Sequence, residues 1–161
     1  MKRIGVSLLV LLAGSLEGCG RSDTVIDTDG TTATVTKRGD GVDVTVKGPD
    51  GGTVRVASGE EGVSVPEGFP KDVPLYPGAI VTTAATVQNA MNVVLKTKDP
   101  ISKVTSFYKE KMKDNGWEIQ TAVDTADGTM LNGHKENRTQ MTVMARDGDH
   151  TIVTLAIETE K

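Results

Sequence analysis

A single stretch of this chain has the apolar spacing of a helix, while the rest of the region after residue 30 alternates with a period of two. Asp99 predicts a helix N-cap with Pro100 at the first helical position, and Asn115-Gly116 predicts the left-handed stop. Between them Ile101, Val104, Tyr108 and Met112 fall on one stripe, with Phe107 beside it. One amphipathic helix can bury its stripe only against a sheet. The expected class is therefore α+β: a short N-terminal β-meander followed by a two-layer domain of one helix on an antiparallel sheet.

Composition divides the chain. Residues 31–66 have no aromatic and are built from Thr, Val, Gly and Asp, with short alternating runs at 32–36, 42–46, 53–56 and 63–65. Gly39-Asp40-Gly41, Asp50-Gly51-Gly52 and Glu60-Glu61-Gly62 punctuate them as turns. Spacing near eleven residues between Val35, Val44 or Val46, Val54 and Val63 also fits the start of a β-solenoid, but about three good repeats and terminal caps are needed. The meander is preferred, thinly stable unless it packs on the second unit or on another protein.

Residues 67–161 hold all five aromatics, Phe69, Tyr76, Phe107, Tyr108 and Trp117, and with them the predicted core. This unit is expected to fold without residues 19–66. Four prolines between Pro66 and Pro77 favour an extended connector docked by Phe69, Leu75 and Tyr76. Two strands are predicted at 79–87 and 91–98, joined at Gln88-Asn89-Ala90. After the helix, Trp117, Ile119, Thr121 and Val123 are expected to alternate inward, 129–135 to form a weaker strand, and 140–145 to pair with 151–157 across Asp147-Gly148-Asp149. In that last pair Met141 and Val143 are expected to face Val153, Leu155 and Ile157.

The first eighteen residues have the layout of an export signal: Lys2 and Arg3, an apolar run over 4–12, then small residues. The run is too short to cross about 30 Å of hydrocarbon as a helix. Leu16-Glu17-Gly18-Cys19 resembles the lipobox of bacterial lipoproteins, with Glu17 departing from the small residue usual there. That resemblance implies cleavage before Cys19, acylation of its sulfur, and a bilayer as partner. Gly20 in the following position implies, for a host with two membranes, the periplasmic face of the outer membrane. Cys19 is the sole cysteine, so no intramolecular disulfide is possible and acylation removes the free thiol. The expected organisation is a signal peptide at 1–18, a tether at 19–30, the meander at 31–66 and the α+β unit at 67–161.

A second resemblance rests on Gly68-Phe69-Pro70, Tyr76-Pro77-Gly78-Ala79, Phe107-Tyr108 and Gly116-Trp117. Together these are similar to a small module near the C-terminus of exported bacterial lipoproteins. It implies location and fold, and no particular chemistry.

Reactive constellations are sparse. His134, Asp147 and His150 sit at predicted strand ends and would form a metal site only if those ends converged. A surface histidine and a polar hairpin turn are the plainer interpretation, so no metal or cofactor is expected. Asp27-Thr28-Asp29-Gly30 and the 124–128 stretch lack the remaining ligands of a calcium loop. No nucleophile elbow, Walker loop or Rossmann glycine pattern occurs. The balance of 18 basic against 22 acidic residues gives no basic footprint for nucleic acid. Lys96, Lys98, Lys103, Lys109, Lys111 and Lys113 line the helix region as a solvated basic face. The sequence thus points to a noncatalytic cell-envelope binding or interaction module with an envelope protein as a candidate partner. The alternative is an envelope enzyme built on His134, Asp147 and His150.

Overall fold

The computed structural model describes residues 22–160; the signal segment, Cys19 and the start of the tether lie outside the described residues. The described chain forms one antiparallel sheet of ten strands and one helix. The strands are β1 (Ser22–Thr28), β2 (Thr31–Arg38), β3 (Gly41–Lys47), β4 (Thr53–Ser58), β5 (Ile80–Val87) and β6 (Ala90–Thr97). Helix α1 (Ile101–Asp114) comes next, followed by β7 (Glu118–Asp124), β8 (Gly128–Lys135), β9 (Arg138–Asp147) and β10 (His150–Thr159). Their order across the sheet is β1-β2-β3-β4-β5-β6-β10-β9-β8-β7.

Local turn chemistry accounts for most of this path. Two residues join β1 to β2, β2 to β3, β5 to β6, β8 to β9 and β9 to β10. Asp29, Gly30, Gly39, Gln88, Glu136 and Gly148 supply the positive φ that tight hairpins require. The helix carries the chain over the sheet, and β7 to β10 then meander back until β10 pairs with β6.

The sheet is continuous where two units were expected. β4 pairs with β5 from Val54↔Val87 to Ser58↔Thr83, and backbone bonds from Gly59 to Thr82 and Val63 to Val81 extend the seam. Residues 63–65 therefore make no strand of their own, and the fourth strand of the N-terminal series is supplied by β1, within the expected tether. A Cβ on Gly59 would lie 3.1 Å from the Gly41 Cα, so glycine there lets the chain turn out of β4 against the β2–β3 hairpin.

The core lies between α1 and the sheet. Val104, Tyr108 and Met112 of the helix are fully buried with Val93, Leu95, Leu131, Met144, Val153 and Leu155. The proline-rich connector adds Val73 and Tyr76, and Tyr76, Phe107 and Tyr108 pack as edge-on and tilted rings. Trp117 is 3 % exposed, as a helix-to-sheet gap filler should be.

Three local expectations change. Pro100 takes the N-cap position and Asp99 lies before it, because the Asp99 carboxylate accepts from the Tyr76 hydroxyl and the Lys103 ammonium. On β9 the core face is Gln140, Thr142 and Met144, paired with Ile157, Leu155 and Val153, so Met141 and Val143 face away. On β7 a register shift between Ile119 and Thr121 leaves Thr121 and Val123 exposed on an edge strand.

Asp72 ties these layers together. Arg138 donates to both of its carboxylate oxygens at 2.8 Å, and Lys135 donates to one at 2.7 Å. Its backbone carbonyl accepts from the Trp117 indole and the Asn115 amide. The Arg138 guanidinium lies 5.3 Å from the centre of the Trp117 ring. Hydrogen bonding from Arg138, then from Lys135, holds the Asp72 carboxyl well below the usual carboxylate range despite partial burial.

A depressed folded-state pKa means that the stabilisation is complete above the unfolded value of about 4 and is lost as pH falls through the folded one. Between pH 5 and 2 the protein should thus lose an increment of stability that an Asp72→Asn variant lacks. At pH 7 that variant should be less stable by about 2 to 3 kcal/mol. Urea unfolding as a function of pH measures both. Independently, the buried core cluster takes no residue from β1–β4. A fragment of residues 59–161 should therefore melt cooperatively and bury Trp117, as seen by calorimetry and fluorescence, while residues 19–58 alone should show no cooperative transition.

Candidate ligand groove

Across β2–β5 the period-two alternation sorts side chains by polarity. Ala33, Val46, Val54 and Val87 are successive cross-strand neighbours, as are Val35, Val44, Val56 and Ala85. Both rows lie on the face away from α1. The opposite parity runs Asp43, Ala57, Ala84, Val93, Leu155, and beside it Thr45, Arg55, Thr86, Met91, Ile157. The helix-side face is thus a packed core at β6 and β10 and turns polar toward β3.

A groove of about 990 Å³ occupies that polar continuation. Its floor is the helix-side face of β2–β5, and residues 61–67 of the connector form a wall. Its size lies at the upper end of ligand pockets, about 300–1,000 Å³. Thr36, Thr45, Thr53 and Thr86 line it together with Ala57, Ala84 and Val65, and so do Arg38, Asp40, Glu61 and Glu67. Asp40 pins the wall, its carboxylate accepting from the backbone N–H groups of Glu60 and Glu61.

One charged pair crosses the floor. Arg55 donates from Nη2 to Asp43 Oδ2 at 2.6 Å and from Nε to both carboxylate oxygens at 3.2 and 3.3 Å. Hydrogen bonding to Asp43 raises the Arg55 pKa, so the guanidinium stays charged. Exposed pairs contribute at most about 1 kcal/mol, so its main consequence is a fixed orientation of five donors. The groove can hydrogen-bond a polar ligand and cover an apolar edge of it. The lining holds no histidine, cysteine or lysine, and the Arg55–Asp43 pair is satisfied internally.

The sequence singled out neither Arg55 nor Asp43. Their parity is visible in 42–46 and 53–56, but which face α1 covers is set by the β4–β5 register, to which no local motif points.

His134, Asp147 and His150 do not converge. His134 is level with Thr139 and Glu158, whereas His150 pairs with Asp147 at the other end of β10. Eight positions separate His150 from Glu158 along that strand, roughly 27 Å at ~3.4 Å per residue. His150 Nδ1 lies 2.7 Å from Asp149, its turn neighbour. Among the described residues no three His, Cys, Asp or Glu side chains gather as a metal-binding group. Asp27 and Asp29 belong to the β1–β2 hairpin, and Asp124 accepts from Thr129 and Lys109. The lysine face is largely compensated: Lys96, Lys103, Lys109 and Lys111 pair with Glu60, Asp99, Asp124 and Asp114.

Residues 79–151 are similar to the START domain-like family. The match runs from the start of β5 through α1 to the start of β10, less than half of the 161-residue chain, and leaves out β1–β4. No curated protein and no solved structure matches the chain.

Protein incubated with zinc and then desalted should retain substoichiometric metal, unchanged by His134→Ala or His150→Ala. One zinc per chain, lost on His150→Ala, would revive the metal-enzyme alternative.

Proposed function

We propose that this chain is a noncatalytic ligand-binding lipoprotein of the bacterial cell envelope, exported by residues 1–18 and held to a bilayer through acylated Cys19. The observation that carries the binding role is the groove: a large recess lined by threonines, alanines and charged side chains, with the Arg55 guanidinium oriented by Asp43. Similarity of residues 79–151 to the START domain-like family, whose domains are generally ligand-binding, supports a binding role, although of the groove lining only Ala84, Thr86 and Gln88 fall within the match. Anchoring rests on the lipobox-like Leu16-Glu17-Gly18-Cys19 and on the basic and apolar segments before it. More than one acyl chain on Cys19 would make attachment stable, since each buried methylene contributes about 0.8 kcal/mol. The ligand class that fits is an uncharged polar molecule with an apolar edge, hydrogen-bonded by threonines and Arg55, since the carboxylates of Asp40, Asp43, Glu61 and Glu67 outnumber the guanidiniums of Arg38 and Arg55 in the lining.

Both parts are testable. A Cys19→Ser chain should fail to incorporate labelled palmitate; unchanged labelling would refute the anchor. Native mass spectrometry of protein purified from its own envelope should reveal a bound small molecule. Thr45→Trp, which fills the groove, should remove it, and Arg55→Ala should weaken its retention at least tenfold. An adduct indifferent to both changes would show that ligand binds elsewhere.

A further inference from the structure

The valine rows of β2–β4 lie on a sheet face that no described element covers. Val54 and Val56 are each 37 % exposed, Val87 44 % and Ile26 52 %, and they continue into the half-buried Val35, Val44 and Val46. From β1 to β6 the strand positions of this face carry no carboxylate. Their charged groups are Lys37 and Lys96, the second of which meets Glu60 at 3.4 Å. The acidic strand residues Asp23, Asp27 and Asp43 all fall on the opposite parity.

We infer that this face is a lipid-contact surface, resting on the headgroup and acyl boundary of a bilayer with the groove turned away from it. The orientation rests on the anchored-lipoprotein reading above. Cys19 precedes Ser22, the first residue of β1, by three positions, a reach of at most about 11 Å. β1 is an outer edge of the sheet. An acylated Cys19 thus brings that edge to the membrane, and of the two faces meeting there, one carries Asp23, Val25 and Asp27 and the other only uncharged side chains and Lys37. Burying the aliphatic face removes apolar area from water and desolvates no carboxylate. Lys37 sits at its margin, where it complements anionic headgroups.

A second copy of the chain fits the patch less well. Roughly ten side chains on a lattice of ~4.8 by ~6.8 Å project to about 330 Å², which even roughly doubled for side-chain relief stays short of the ~800 Å² of accessible surface per partner in a standard interface.

The test uses the mature chain, residues 19–161, with Cys19→Ser, so that acylation plays no part. It should cosediment with vesicles of phosphatidylglycerol and phosphatidylcholine. A Val54→Asp/Val56→Asp variant with unchanged circular dichroism should bind at least tenfold more weakly. Lys37→Ala should lose about fivefold on anionic vesicles and nothing on neutral ones. Thr45→Trp, on the groove side, should bind normally. Absence of vesicle binding, or binding indifferent to the aspartates, overturns the inference. So does a dimer in sedimentation equilibrium that the aspartates dissociate, which would assign the face to a second copy. Palmitate labelling of the native chain reports on Cys19 separately, so failure of the anchor and failure of the face are told apart.

Discussion

The placement of the connector between β4 and β5 depends on Asp72. That connector has no strand pairing of its own beyond Val63, and prolines remove several of its backbone donors. It is held by one residue reaching three elements: the carboxylate takes Arg138 of β9 and Lys135 of β8, and the carbonyl takes Asn115 and Trp117 at the helix exit. With 24 % of its side chain exposed, Asp72 is desolvated enough for its partners to matter, and both are cations. Tyr76 makes a second fixing point through Asp99, which ties the connector to the helix start. Together these place Val73 and Tyr76 over the core and leave residues 61–67 standing as the groove wall.

The groove follows from incomplete coverage. Helix α1 packs on β7, β8 and β9, and the connector covers the sheet beside it, so the helix-side face beyond β5 has nothing above it. A sheet face left to water must be polar, and at Thr36, Asp43, Thr45 and Arg55 it is. The switch from Val93 and Ala84 to Ala57 and Asp43 along one cross-strand row marks the boundary between core and site. Ala57 and Ala84 at that boundary are small, which leaves depth for a ligand beside the core.

Much of the local structure was legible in the sequence. Asn115-Gly116 ends the helix as read, Gly39-Asp40 and Gly148-Asp149 turn hairpins, and Val104, Tyr108 and Met112 face the core. What failed depended on non-local pairing. Met141 and Val143 are the more apolar parity of β9, yet Gln140 and Thr142 face the helix, because the register with Leu155 and Ile157 outweighs the preference of one strand. Buried Thr142 accepts from the Gln140 amide nitrogen and Thr105 donates to Thr129, so the core's polar residues are paired in part, while Gln140 Oε1 has no hydrogen-bond partner among the described residues. Meander and module share one sheet for a related reason. A composition change at residue 66 marks where aromatic core residues begin, and strand pairing runs straight across it.

The same alternation that gives β2–β4 a polar floor places their valines on the other face, so each strand serves two environments. In an isolated soluble sheet this is an awkward choice, since the valine face gains nothing from α1 and the strands contribute no residue to the buried core cluster. Reversing the parity would put Val44 and Val54 under the connector and enlarge the core, at the loss of the groove. The observed parity is economical only if something other than the helix covers the valines. A bilayer at the Cys19 end, as proposed above, would meet that requirement with no added chain and would leave the groove open to the solution on the far side.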